Sequence, residues 1–155
     1  MMTLYRLVRL IEMHSNELAS LLIERVHNSD ATSGYEFVPD EELKDRVYEI
    51  YRHLGEWLTT KDEFELEQRY LRIGARRAKQ GVPFSQVAWA IALTKENLWA
   101  FLKGQSAMDR PVEAFGELEF LELLDNFFDR AVYFAAIGHE KARTEVETEL
   151  ARATA

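Results

Sequence analysis

Arg77 is the residue whose type and place most invite a chemical reading. On a helical wheel it falls inside an apolar arc, behind Leu66, Tyr70 and Ile73. A guanidinium carries a permanent charge and five N–H donors, and it cannot ligate a metal. Burying it without a partner costs several kcal/mol. Arg77 therefore snorkels from the helix end, pairs with an acid, or meets an anionic ligand. Gln68, Glu65, Arg69, Arg72, Arg76, Lys79 and Gln80 form the opposite, polar arc. The arginine row on that arc reads as a solvated face balanced by Glu65. Gly74 sits within the apolar arc, where it permits close approach of another helix or a ligand, at roughly 1 kcal/mol against alanine.

The four histidines, His14, His27, His53 and His139, show no pair at a spacing that puts two ligands on one helix face. His14 lies in the apolar arc of the first helix, where it either lines a pocket or is a hydrogen-bonded core histidine. His139 lies near the apolar side of the last helix, as a possible interface or pH-responsive group. His27 and His53 read as surface or boundary residues. A two-carboxylate metal centre in a bundle uses paired Glu-x-x-His motifs, and His53-Leu-Gly-Glu56 has the reverse order and stands alone. There are no cysteines, which removes disulfides, thiolate metal sites and cysteine nucleophiles. No Gly-x-Ser-x-Gly, phosphate-binding loop or dinucleotide fingerprint is present. The sequence therefore predicts no enzyme, no cofactor and no metal.

The elements that position these residues are helical. The 155 residues are 47% hydrophobic and 30% charged, enough for one domain with a real core. The periodicity predicts a first helix over about Leu4 to His27, then a polar break at Asn28–Gly34. Tyr35–Val38 reads as extended or loop. A second helix opens at Pro39-Asp-Glu-Glu, because acids suit a first turn. Thr60-Lys-Asp-Glu63 matches a capping box and opens a third helix, which Gly81-Val-Pro83 ends. A fourth runs from Phe84 to Leu102 with Gly104 as its cap, and a fifth from Pro111 to about Glu149. The expectation is one domain over 1–145 and an exposed, charged tail over 146–155. Net charge of -8 works against binding nucleic acid or anionic lipid. No signal peptide and no apolar run long enough to span a bilayer is read, so a soluble cytoplasmic protein is expected.

The last helix is apolar over about half its circumference, more than one core requires. The surplus predicts a two-fold homodimer built on Leu124, Phe127, Phe128, Ala131 and Ala135. Trp89 projects away from the apolar side of its helix and is a weaker candidate for a partner surface.

The stretch Ile73-Gly-Ala-Arg-Arg77-Ala-Lys-Gln-Gly81-Val-Pro83 resembles the helix and turn of globin-coupled sensors, with Arg77 where their haem-ligating histidine stands. Together with Phe84, Val87, Ala90, Leu98-Trp-Ala-Phe-Leu102 and Phe127-Phe-Asp-Arg-Ala-Val-Tyr133, it is closer to the N-terminal sensor domain of RsbR/RsbD-type stressosome co-antagonists. That resemblance covers roughly Leu4 to Arg143. It implies an all-α, globin-like bundle without haem, usually dimeric, that senses or relays a signal to a STAS or kinase module. Tyr70, Ile73, Gly74, Arg77 and His14 are then the candidate contacts for a small apolar or anionic ligand. The rival readings are a haem- or ligand-binding globin and a helical adaptor that binds only protein.

Overall fold

The computed structural model describes the backbone of residues 2–60, 62–104 and 111–154, and their side chains apart from residues 2–4, 53, 59 and 111–120. Among the described residues, six α-helices follow one another: α1 (Met2–Met13), α2 (Ser15–His27), α3 (Asp40–Thr60), α4 (Glu63–Lys79), α5 (Phe84–Gly104) and α6 (Pro111–Thr154). A 3-10 segment, Asp30–Phe37, links α2 to α3. Among the described residues there is no strand. The fold is an all-α bundle with a long C-terminal helix. The side chain of His53 lies outside the described residues.

Three local departures from the predicted elements have physical reasons. The expected first helix is interrupted at His14 (φ -108°, ψ 15°). There the Ser15 hydroxyl donates to the Glu12 carbonyl and His14 Nδ1 bonds the Leu10 carbonyl at 2.8 Å, side-chain bonds that compete with the helical ladder. The cap of α4 is Asp62, not Thr60. Asp62 accepts from the Glu65 backbone N–H at 3.2 Å, while Thr60 donates to the Glu56 carbonyl and closes α3. The Tyr35–Val38 stretch belongs mostly to the 3-10 segment, with Thr32 Oγ1 donating to the Val26 carbonyl to tie it to α2.

The core gathers the apolar faces of all six helices. Ile11, Leu18, Leu22, Tyr51, Leu54, Leu58, Leu98 and Leu124 are almost fully enclosed. A polar knot crosses this core. The Tyr51 hydroxyl donates to the Thr94 carbonyl at 2.9 Å, and Asn97 donates to the Leu18 carbonyl at 2.9 Å and to the Tyr51 oxygen at 3.3 Å. It ties α2, α3 and α5 together, satisfying groups that would be costly to bury alone.

The pairing of α4 with α6 is the most extensive in the bundle. Two glycines make it possible. A Cβ on Gly74 would fall on the Ala135 carbonyl, and one on Gly138 would fall on the Leu71 carbonyl. Backbone thus meets backbone where the helices cross. Gly74 accordingly faces α6 and not a ligand cavity. Gly74→Ala must push the helices apart, and overpacking of this kind costs about 3 kcal/mol. Chemical denaturation is expected to register that loss, with Arg72→Ala on the exposed face of α4 changing stability by less than about 0.5 kcal/mol.

Candidate functional site

The C-terminal turn of α4 carries the site. Gly81 has φ 77°, the left-handed region that favours glycine. The Gly81 N–H bonds the Ala78 carbonyl and the Val82 N–H bonds the Arg77 carbonyl, both at 3.0 Å. This is a Schellman closure, and it fixes where the chain leaves the helix. Arg76, Arg77 and Lys79 occupy the last turn, where the helix dipole favours cations.

Arg77 is buried, 3% exposed. It does not snorkel. Its Nη1 donates to Gln80 Oε1 at 2.7 Å and reaches Glu42 Oε1 at 3.4 Å, and its guanidinium carbon lies 5.6 Å from the Tyr35 ring centroid. Glu42 comes from the first turn of α3, where the dipole favours an acid. Arg76 takes this carboxylate through Nε at 3.0 Å and Nη2 at 3.4 Å, and Gln80 donates to both its oxygens at 3.1 Å. The hydrogen bond from Arg76, then the charges of Arg76 and Arg77, hold the Glu42 carboxyl below the usual carboxylate range. Burial pushes the Tyr35 hydroxyl up to about 12, against the opposing charge of Arg77. Tyr35 therefore stays neutral.

Beside this cluster lies a cavity of about 50 Å³. Its walls include Tyr35, Arg46, Tyr70, Ile73, Arg77, Ala90, Thr94 and Phe128. Of the sequence-derived ligand contacts, Tyr70, Ile73 and Arg77 meet here. Tyr70 is buried, and burial raises its hydroxyl pKa. Gly74 and His14 are not among the lining residues. His14 stacks at 5.1 Å on Phe101, bonded to the end of α1. The cavity is far below the roughly 300–1,000 Å³ of pockets for large organic ligands, so a porphyrin has no room without repacking the core.

His139 is buried, and its Nε2–H donates to the Val82 carbonyl at 2.7 Å, with its ring 5.6 Å from Phe84. It fastens α6 to the turn after Arg77. His27 instead pairs with Asp40 at 3.0 Å on the surface.

The expected dimer contacts need correction. Leu124, Phe127, Phe128, Ala131 and Ala135 are all buried within the single chain, none more than 4% exposed. Phe127 packs edge-on against Trp57 and Tyr70. These residues serve the protomer core because α4 covers that side of α6. Among the described residues, the large apolar side chains α6 leaves open are Tyr133, Ile137 and Leu150, with Phe64 of α4 also exposed. Trp89 is exposed as expected, at 45%.

Sequence reasoning missed Tyr35, Glu42, Arg46 and Gln80. Gln80 was read as surface and Glu42 as a dipole-matching acid. Nothing within α4 signals that a carboxylate 35 residues earlier closes over its C-terminus.

Among the described residues, the all-α bundle holds one buried arginine, with a small and mostly apolar cavity beside it and the long last helix fastened to the turn that follows. The chain belongs to the family described as the RsbT co-antagonist protein RsbRD N-terminal domain, whose model matches residues 16–154. It is an RsbR-type stressosome N-terminal domain in that general sense. No curated protein and no solved structure matched the chain.

Two outcomes are expected. The depressed Glu42 pKa contributes stability that is present above the unfolded value of about 4.3 and lost as pH falls through the folded value. Urea midpoints followed from neutral pH to below about pH 4 should fall more steeply in the native chain than in Glu42→Gln. Phe127→Ala should cost about 3–5 kcal/mol of folding stability, as a core truncation does, measured by the same unfolding curves.

Proposed function

We propose that this chain is a sensory, signal-relay domain of bacterial stress or two-component signalling, globin-like in its helix layout, non-catalytic and cytoplasmic. It works as a homodimer, and ligand binding at the Arg77 cavity shifts α6, which passes the change to a STAS or kinase module. Differential affinity for two arrangements of α6 is the driving term.

One observation carries this reading. The Val82 backbone accepts from His139 of α6 while its N–H holds the Arg77 carbonyl. A displacement of the Arg77 backbone thus meets α6 through two consecutive hydrogen bonds. Family membership supports the signalling context. The exposed Tyr133 and Ile137 give α6 an apolar surface for a second copy, and shifts of helices at subunit interfaces are an established switching mode.

Sedimentation velocity of the purified chain should show a dimer. Tyr133→Glu combined with Ile137→Glu should weaken it by about tenfold or more, a loss of about 1.4 kcal/mol of association energy, with an unchanged unfolding midpoint. Spin labels placed at Lys141→Cys should report two inter-protomer distances whose populations differ between the native chain and His139→Leu. A monomeric native chain, or one distance insensitive to His139, would overturn the proposal.

A further inference from the structure

We propose that the cavity beside Arg77 is a binding site for a small carboxylate with a short apolar tail, of the size of acetate or propionate. The inference deepens the sensor reading, and its biological meaning rests on that reading.

The lining is one-sided in charge. Among the described residues, Arg77 and Arg46 are the charged ones on it, and no Asp or Glu lines the cavity. Tyr35, Tyr70 and Thr94 supply hydroxyls, and the remaining wall is aliphatic apart from Phe128. Arg77 stands inside, 3% exposed, while the side chain of Arg46 is half exposed at 51%. The cavity therefore offers a cation within, a second more solvated one, and an apolar wall between.

The inner cation is also under-compensated. Glu42 faces two guanidiniums and gives its better geometry to Arg76, at 3.0 Å through Nε. Arg77 holds the same carboxylate at 3.4 Å, and its shortest bond, 2.7 Å, is to the neutral amide of Gln80. Two positive charges thus share one negative charge beside an apolar space. A monoanion entering that space would supply the missing charge, and a carboxylate matches the planar fork of arginine. Tyr35, kept neutral by burial, is a further donor.

Size sets the class. One water needs on the order of 10–15 Å³ of such space, so about 50 Å³ admits a few heavy atoms. A longer chain would have to displace core side chains. Ligands this small bind weakly, within the limit on free energy per atom.

The test is an amide NMR titration of the uniformly ¹⁵N-labelled chain with sodium propionate at constant ionic strength. Formate, 1-propanol and propylammonium are run in parallel. Saturable shifts are expected at Tyr35, Ile73, Arg77 and Thr94 with propionate, and weaker binding with formate, which lacks the tail. Propanol and propylammonium should give none. Arg77→Met should weaken propionate by about tenfold, as loss of a charge-assisted contact implies. Arg46→Gln should weaken it less, and Ala90→Leu, which fills the space, should abolish it. Should Arg77→Met fail to fold, Ala90→Leu and Arg46→Gln still decide. Equal shifts with propanol or propylammonium, unchanged affinity in Ala90→Leu, or absence of saturation would each overturn the assignment. The titration reads binding alone. Propionate that binds without changing the Lys141→Cys label distances leaves the carboxylate site standing and removes the relay. A dimer whose distances respond to His139→Leu, in a chain that binds no carboxylate, does the reverse.

Discussion

The guanidinium of Arg77 is the constraint around which one end of this bundle is organised. An arginine that is 3% exposed must be solvated by protein. Three separate segments do this: the Tyr35 ring from the 3-10 segment, the Glu42 carboxylate from α3 and the Gln80 amide from the end of its own helix. Each would gain less if it acted alone, because the charge has to be removed from water in one step. The cluster therefore fixes the relative placement of three elements that are separate in sequence. It also explains why the loop before α3 is folded back as a 3-10 segment, with Tyr35 turned inward.

The second organising contact is the crossing of α4 and α6. Gly74 and Gly138 let the two backbones touch, and His139, next to Gly138, fastens α6 to the Val82 carbonyl in the turn after α4. The charge cluster and the crossing lie on the same helix. Interiors packed at this density transmit displacement and do not absorb it. The end of α4 is thus held between a polar cage on one side and a long helix on the other.

Much of the helix plan was legible because it rests on local rules. Apolar spacing located the stripes of α2, α3 and α4, Gly81 marked the end of α4, and Pro39 with its acids marked the start of α3. The break at His14 was not legible, since the 3.6-residue pattern continues through it and only side-chain bonds to Leu10 and Glu12 reveal it. Thr60 and Asp62 compete as caps two residues apart, and the sequence does not rank them. Arg77 stood out because a charge in an apolar arc conflicts with its own helix. Its partners did not, because Glu42 and Tyr35 are ordinary residues in ordinary places until the chain folds. Leu124, Phe127 and Phe128 were mistaken for a partner-facing stripe because a wheel counts apolar width without knowing that α4 covers it.

Helix α6 spans 44 residues, about 66 Å at 1.5 Å per residue. Beyond Ala142 it leaves the bundle, and from Arg143 to Thr154 every residue but Val146 is exposed. The glycine crossing near Gly138 then acts as a fulcrum, and the stretch from there to Thr154 as a lever of roughly 24 Å. A tilt of about 5° at the fulcrum swings the far end by roughly 2 Å, comparable to the helix displacements that switch subunit interfaces. Geometry alone would thus turn a sub-ångström adjustment near the crossing into a larger movement at the helix tip.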